Sequence, residues 1–440
     1  MAFLCLDVGS TWTKGALVAP DGMLLGTAQH RTTPPEVLHG VHAVTEALDA
    51  DGATVLACSS AGGGLRLAVV GQERLVSVEA GRRVALSAGA KVVHVATGEL
   101  SGAGLAQLRA ARPDVLLLVG GTDGGDEKVL LHNAKRLAVN RVRVPVVLAG
   151  NAVARPAAHA LLAGTGRTVV ATDNVLPDVG ELAPGPARAA IREVFLRHVI
   201  GGKGLSRGPA FRALVRTVTP DAVLSAVSVL AGVLAADAEQ AGAVLVADVG
   251  GATTDVYSAV STVDDEEAHA VALPADRRTV DGDIGMRVSA PGVVAESLAE
   301  RIVEPTEAEA LAAAAARRAA DVEWLPSTVD DQRTELRLAE LAVVLAVRRH
   351  LRLVDGRLGP RGAGRLVLSG GVFRHADPAV LAELTEKLRT DSVLRPVLRT
   401  ADVVTDRAGV LGPAGLLAQT GRPVVAAALL SAELRAGAQS

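Results

Sequence analysis

One stretch near the start of this sequence, AFLCLDVGSTWTK, places a carboxylate, glycine, hydroxyls and a lysine within a few residues of one another. An apolar strand-like run ends at Asp7 and is followed by Gly9, Ser10, Thr11 and Lys14. Glycine lets a backbone approach a phosphate closely, and amides and hydroxyls supply donors to its oxygens. An aspartate at the strand end suits hydrated magnesium, which keeps several waters and needs few carboxylates. The stretch therefore predicts either a phosphate-binding turn with a metal-facing aspartate or an ordinary β-hairpin.

The same pattern recurs in the second half of the chain, in AVLVADVGGATTDV. Here Asp248 ends the apolar run, and Gly250, Gly251, Thr253 and Asp255 follow it. A single turn of this type is typical of a hairpin, but its recurrence favours a phosphate-binding role. Two such turns from two halves of a chain would hold a polyphosphate from both sides.

A third stretch, LVLSGGVFRH, ends a buried strand with Gly370 and Gly371. Exposed glycine backbone at such a strand end offers a flat surface for a nucleotide base. A Gly-Gly strand end also occurs in DVLLLVGGTDGG, so the order and combination of the three stretches carry the prediction.

Composition restricts the class of protein around these motifs. The 440 residues are 49% hydrophobic and only 2% aromatic, which suits helices packed on parallel strands in two or three domains. A net charge of −3 predicts no nucleic-acid partner. No stretch reaches the roughly 20 apolar residues that are needed to span a membrane, so we expect neither a membrane span nor secretion. Cys5 and Cys58 match no zinc or redox spacing and are expected to be buried, in a reducing, cytoplasmic setting.

Between the two phosphate-like turns, apolar strands alternate with helical patterns. The strands are KVVHVATG, DVLLLVGG, VPVVLAG and RTVVATD, beginning at about residue 85. This alternation predicts right-handed βαβ units and a parallel sheet. Residues 185–215 carry Arg, His and Lys around a GGKG turn, and we expect a connector or an exposed surface there.

The three motifs, in this order, resemble those of the actin-like ATPase superfamily, which includes sugar kinases, heat-shock chaperones and actin. Within this superfamily, the sequence resembles most closely the glutamate mutase accessory proteins, called MutL or GlmL. The segments that carry this resemblance are DVGSTWTKGALV, LLVGGTDGGDEKVLLHNA, VVLAGNA, DVGGATTDVYS, RTVDGDIGMR and, near the end of the chain, GLLA. It implies an α/β fold of two actin-like (RNase H-like) halves around a nucleotide cleft. The halves would be residues 1–220 and 221–440, with the βαβ-rich segment at about 85–215 in the first.

This resemblance also implies a function. It implies an ATP-driven reactivating chaperone or accessory factor of an adenosylcobalamin-dependent mutase. ATP and Mg²⁺ are then the expected cofactors, and a subunit of glutamate mutase or of an aminomutase is the expected partner. Carried over by motif, Asp7 and Asp248 would hold hydrated Mg²⁺ and serve a slow hydrolysis. The phosphates would contact Gly9, Ser10, Thr11, Lys14, Gly250, Gly251 and Thr253, and the adenosine Gly370 and Gly371. Asp255 would order the metal waters or the attacking water, or be an ordinary polar strand residue.

Some features leave alternatives open. Ala252 replaces the third glycine of the chaperone GGGT pattern, which predicts a looser backbone approach there. In TDGGDEK, Asp123 and Asp126 suit either a capped helix start or a cleft lining.

Three other functions compete with the accessory ATPase. A small-molecule kinase of the same fold needs a base beside its acceptor hydroxyl, and no residue is assigned to that role. A radical dehydratase activator needs cysteines around an iron–sulfur cluster, which Cys5 and Cys58 do not suit. A non-catalytic interaction module is disfavoured by the intact Asp7 and Asp248. For a client protein, the expected docking surface is residues 115–215, with the basic end at 188–207 guiding encounter. The alternative is that this region only completes the first half of the fold.

Overall fold

The first sheet of the protein is built around the strand that carries Asp7. A computed structural model describes residues 1–9, 11–33, 35–60, 65–73, 77–88, 90–140, 142–195, 197, 209–235, 242–260, 276–354, 358 and 362–434. The first elements are β1 (Phe3–Val8), β2 (Trp12–Val18), β3 (Leu24–Arg31), α1 (Leu38–Ala47) and β4 (Thr54–Ser59). β1 pairs antiparallel with β2 and parallel with β4, and β2 pairs antiparallel with β3.

An all-parallel sheet follows, as the alternating pattern predicts. Its strands are β5 (Arg66–Gly71), β6 (Lys91–Thr97), β7 (Val115–Leu118), β8 (Val146–Leu148) and β9 (Val169–Ala171), in the spatial order β6-β5-β7-β8-β9. The helices are α2 (Ser77–Ser87), α3 (Gly102–Ala110), α4 (Lys128–Val139), α5 (Arg155–Ala163) and α6 (Pro184–Val194). Apolar residues of α2 and α6 pack on one face, and those of α3, α4 and α5 on the other. The central strands β5, β7 and β8 are therefore buried on both sides, which explains their continuous apolar sequences, whereas the edge strands β6 and β9 are more exposed.

The expectation of a connector or an exposed surface at 185–215 is wrong for the residues that the structure describes. They form most of α6, then α7 (Pro209–Leu214) and β10 (Val215–Val218), which completes the first sheet in the order β10-β4-β1-β2-β3. In α6 the residues Ala187, Ala190, Ile191 and Val194 are buried. Their helical spacing makes one apolar face, while Arg188 and Arg192 follow another stripe of the same helix. The part of the predicted basic end at 198–207 lies outside the described residues.

The second half repeats the topology of the first sheet. After α8 (Thr219–Ala235) come β11 (Ala243–Val249), β12 (Thr254–Ala259), β13 (Asp276–Asp281), β14 (Ala363–Ser369) and β15 (Asp402–Thr405), in the order β13-β12-β11-β14-β15. The intervening helices are α9 (Ala290–Ala299), α10 (Pro305–Ala320), α11 (Val329–Leu353), α12 (Gly371–Arg374), α13 (Pro378–Thr390) and α14 (Arg395–Leu398). β11 pairs antiparallel with β12 and parallel with β14, as β1 does with β2 and β4.

Three helices join the two halves through a shared core. α8 packs against α15 (Leu411–Gln419) and α16 (Pro423–Glu433), and their apolar side chains contact both sheets. Cys5 and Cys58 from the first sheet lie in this core with Val246 and Val367 from the second. Both thiols are free and fully buried, as predicted. Among the described helices, none is both long and apolar enough to cross a membrane.

Candidate functional site

The first glycine turn is closed by its own backbone and held from outside. The amide of Gly9 donates to the carbonyl of Trp12 at 3.0 Å, and a Cβ at Gly9 would lie only 2.7 Å from that oxygen. The hydroxyl of Thr32 donates to the Gly9 carbonyl at 2.8 Å. Glycine is required here because the turn brings two backbone segments into contact. Ser10 lies outside the described residues, while Thr11 and the half-exposed Trp12 sit on the turn.

The second glycine turn has the same internal hydrogen bond. The Gly250 amide donates to the Thr253 carbonyl at 2.9 Å. The DGDIGM segment supports this turn, since the amides of Met286 and Arg287 donate to the Gly250 and Gly251 carbonyls at 2.9 and 2.7 Å. The side chain of Ala252, which stands where the chaperone pattern has glycine, is exposed.

The strand registers place chemically different groups opposite the two aspartates. Asp7 in β1 pairs with Lys14 in β2, and Asp248 in β11 pairs with Asp255 in β12. The first turn therefore offers one carboxylate and one ammonium group, and the second offers two carboxylates. These groups are complementary to a polyphosphate–magnesium complex. Its phosphate oxygens attract an ammonium group, and its metal ion attracts carboxylates.

Asp7 is oriented by a residue that sequence reasoning missed. The hydroxyl of Thr219, the first residue of α8, donates to Asp7 Oδ1 at 2.5 Å, and Cys58 Sγ lies 3.7 Å from the same oxygen. Burial raises the pKa of Asp7, while Lys14 and the Thr219 hydrogen bond oppose that rise and the charge of Asp248 adds to it. The charge of Asp248 thus acts on Asp7 from the other half of the chain. The sequence does contain a signal for Thr219, because Thr-Pro-Asp at 219–221 is typical of the start of a helix and an apolar run follows it.

Asp255 is held by a buried arginine, Arg278 in β13. The Nε and Nη2 atoms of Arg278 donate to Asp255 Oδ1 at 2.9 and 2.5 Å. Thr253 makes a longer contact with Oδ2 at 3.4 Å. Burial raises the pKa of Asp255, opposed first by the Arg278 charge. Oδ1 therefore accepts both guanidinium hydrogen bonds, whereas Oδ2 has the longer Thr253 contact. No sequence signal distinguished Arg278 from its neighbour Arg277.

The third glycine motif lies directly beside the second turn. β14 pairs with β11 so that Ser369 is opposite Asp248. Gly370 has a φ of +124°, and a Cβ there would lie 2.3 Å from the Val249 carbonyl oxygen, so a larger residue would push the strands apart. At Gly371, by contrast, a Cβ would have no neighbour within 4 Å. The backbone at Gly371 is thus open in the direction in which a side chain would project.

Asp123 and Asp126 follow β7 at the carboxyl end of the parallel sheet and bond to residues of that sheet. Asp123 Oδ1 accepts from Asn174 Nδ2 at 2.9 Å and from the Ala152 amide at 2.8 Å. Asp126 accepts from Gln72 Nε2 at 2.9 Å and from the Lys128 amide at 3.1 Å. These bonds tie together the loops after several strands and give both carboxylates a structural role.

Two matched sheets on a shared helical core, each carrying an Asp-Val-Gly turn at the same place, define the actin-like ATPase fold, as the sequence motifs predicted. The family within this fold is identified from nearly the whole length of the chain. The model of the MutL protein family matches residues 3–434, and the chain belongs to this family, the glutamate mutase accessory proteins.

One sequence relative agrees with this assignment. Protein MutL of Clostridium tetanomorphum is 32% identical over 447 aligned residues, which cover 95% of this chain and 96% of that protein. Among solved structures, nucleotide-free acetone carboxylase matches with a TM-score of 0.40 and 16% identity, covering 94% of this chain and 69% of that one. A ROK family glucokinase from Streptomyces griseus, in complex with glucose and AMPPNP, matches with a TM-score of 0.33 and 14% identity, covering 96% and 100%.

Proposed function

We propose that this protein binds ATP with Mg²⁺ between its halves and hydrolyses it slowly, as a reactivating accessory chaperone of an adenosylcobalamin-dependent mutase of the glutamate mutase type. The observation that carries the proposal is the pair of matched turns, with Asp248 close enough to Asp7 for its charge to add to the raised pKa of Asp7. Membership of the MutL family supports the accessory role.

The residues present fit a magnesium nucleotide. Asp7 and Asp248 supply oxygen ligands, and Lys14 supplies a cation beside the first turn. Among the described residues, no group of three or more His, Cys, Asp or Glu is arranged to hold a metal, which suits an ion that keeps waters and phosphate oxygens as ligands. When bound, Mg²⁺ would neutralise charge on the phosphates. Gly9, Thr11, Gly250, Gly251 and Thr253 would bind the phosphate oxygens, as would Ser10.

Hydrolysis also requires that the acidic side chains near the nucleotide keep fixed orientations. Thr219 fixes Asp7, and Arg278 fixes Asp255, so that two of the three acidic side chains keep one rotamer. Asp255 Oδ2 is the candidate acceptor for a hydrogen bond from the attacking water. Positioning of this kind is the main source of catalysis in phosphoryl transfer.

The client would respond to closure of the cleft. A closure shifts another equilibrium only through contacts that differ between two states. The parallel sheet within 115–215 is the candidate docking surface, because none of the three nucleotide motifs lies in it. Arg188 and Arg192 do not serve as free docking charges, since they pair with Asp276 and Asp221. Docking would therefore depend on other residues of this segment.

A reconstituted assay tests the proposal. Glutamate mutase inactivated by loss of its adenosyl group is incubated with this protein, fresh adenosylcobalamin, ATP and Mg²⁺, and mutase activity is followed. We expect recovery with ATP and none with the Asp7→Asn/Asp248→Asn variant. Calorimetry that shows no ATP binding to the folded protein in millimolar Mg²⁺, together with no recovery, would contradict the proposal. Phosphorylation of a small molecule with stoichiometric ADP release would instead identify a kinase.

A further inference from the structure

An ion pair joins the two halves at residues far apart in the sequence. Arg31, the last residue of β3 in the first half, contacts Glu323, which lies between α10 and α11 in the second. The distance from Arg31 Nη1 to Glu323 Oε1 is 2.5 Å. The two side chains remain 51% and 65% exposed. The contact is therefore accessible to solvent and ions, unlike the buried pairs inside each half.

On the first side, the ion pair is adjacent to the residue that holds the Gly9 turn. Thr32 follows Arg31 directly, donates its hydroxyl to the Gly9 carbonyl and its amide to the Thr11 carbonyl, at 2.8 and 2.9 Å. The Arg31 guanidinium also lies over the ring of Trp12 at 5.4 Å. A displacement of Arg31 would therefore act on both ends of the first turn.

On the second side, a series of contacts leads from Trp324, the residue after Glu323, to the Gly251 turn. The neighbouring Trp324 ring packs against the guanidinium of Arg318 at 4.7 Å. Arg318 is fully buried, and its Nε donates to Glu335 Oε2 at 2.6 Å. Glu335 Oε1 accepts from Arg287 at 2.7 Å, and the Arg287 amide donates to the Gly251 carbonyl. Buried charges that are all paired make this path rigid.

We propose that the Arg31–Glu323 pair is a latch across the nucleotide cleft, which stabilises the closed arrangement of the two phosphate turns. The inference rests on the proposed nucleotide binding and adds a control element to it. An exposed ion pair contributes little stabilisation, so it opens readily, whereas the contacts behind it are rigid. Closure then becomes sensitive to salt and to any partner that competes for either side chain.

A double-mutant cycle tests the latch. ATP–Mg²⁺ affinity is measured by calorimetry for the wild type, Arg31→Glu, Glu323→Arg and the double charge swap. We expect each single reversal to weaken binding about two- to fivefold and the swap to restore it. Raising the salt to 1 M should remove the differences. Arg333→Glu is the matched control, because Arg333 is an exposed cation on α11 whose ion pair with Asp330 stays within that helix. We expect it to bind like the wild type.

A distance measurement separates the latch from nucleotide binding itself. Cys5 and Cys58 are fully buried, so cysteines introduced at the exposed Gln29 and Leu325 can be spin-labelled selectively. In the labelled protein, Glu323→Arg should lengthen and broaden the distance distribution. If the wild type binds ATP but the double charge swap loses as much affinity as the two single reversals together, the latch is overturned. A wild type that does not bind ATP would contradict the proposed function, and an unchanged distance in Glu323→Arg would overturn the latch independently.

Discussion

Gly415 in α15 lies directly against the backbone of Ala222 in α8. A Cβ at Gly415 would lie 1.7 Å from the Ala222 carbonyl oxygen, which no side chain tolerates. Gln419 strengthens the same crossing, because its Nε2 donates to the Asp221 carbonyl at 2.9 Å and to Ser225 Oγ at 2.7 Å. α8 leads from the first sheet to the second, so this contact sets the relative placement of the halves.

Substitution at this crossing should destabilise the whole protein. Gly415→Ala forces the two helices apart, and we expect the free energy of unfolding to fall by about 3 kcal/mol or more, as for overpacked cores. Gly412→Ala is the control in the same helix, because a Cβ there meets nothing within 4 Å. Urea denaturation of both variants checks this. Equal stability of the two would show that α8 and α15 do not approach as closely as described.

The hydroxyl of Thr219 should matter more than its bulk. Thr219→Val keeps the shape but removes the hydrogen bond to Asp7, and bonds to charged groups are worth about 1.5–3 kcal/mol. We expect ATP hydrolysis to fall about tenfold or more, with a raised Mg²⁺ requirement, while Thr219→Ser stays near wild type. Steady-state ADP release across a magnesium titration measures both. Equal loss in the Ser and Val variants would indicate a packing role instead.

The two cleft carboxylates should be required for turnover. Asp248→Asn keeps the size of the side chain and removes its charge, and we expect hydrolysis to fall about 100-fold or more, as when catalytic groups are misplaced. Circular dichroism and unfolding temperature should stay unchanged. Turnover at the wild-type rate in the Asp7→Asn/Asp248→Asn double variant would refute the assignment of both residues.

Buried His350 should make the protein sensitive to acid. Its ring lies within hydrogen-bond distance of Thr279 and Ser258, and burial, with a smaller effect of Arg277, lowers its pKa to about 3. In the unfolded chain the His350 imidazole takes up a proton near pH 6.5. The contribution of the neutral, buried ring to the free energy of unfolding is therefore fully present above that pH. It is lost progressively as the pH falls from 6.5 towards 3.

Replacing this histidine should flatten that dependence. When the pH falls from 7.5 to 4.5, we expect the free energy of unfolding of His350→Gln to decrease by about 2–3 kcal/mol less than that of the wild type. Urea unfolding at the two pH values gives the comparison, and the carboxylates, present in both proteins, cancel in the difference. An identical loss would mean that His350 is not held neutral in the folded state.

The sequence by itself determined the local parts of this protein. Each glycine turn closes within four residues, as the Gly9–Trp12 and Gly250–Thr253 hydrogen bonds show. Glycine and the preceding apolar strand therefore predict such a turn without knowledge of the rest of the chain. The parallel sheet was predictable for the same reason, because strands buried on both faces need continuous apolar runs. The predicted boundary between residues 220 and 221 stays a prediction.

Tertiary structure alone decided which side chains meet. Thr219 reaches Asp7 across 212 residues, Arg31 reaches Glu323 across 292, and Arg278 pairs with Asp255 in a neighbouring strand. The charged residues of α6 suggested an exposed surface, yet Arg188 and Arg192 are paired there with carboxylates from other elements. Residue type and periodicity show that a group needs a partner or solvent. Which partner it finds depends on how the helices and sheets pack, and that is a property of the whole chain.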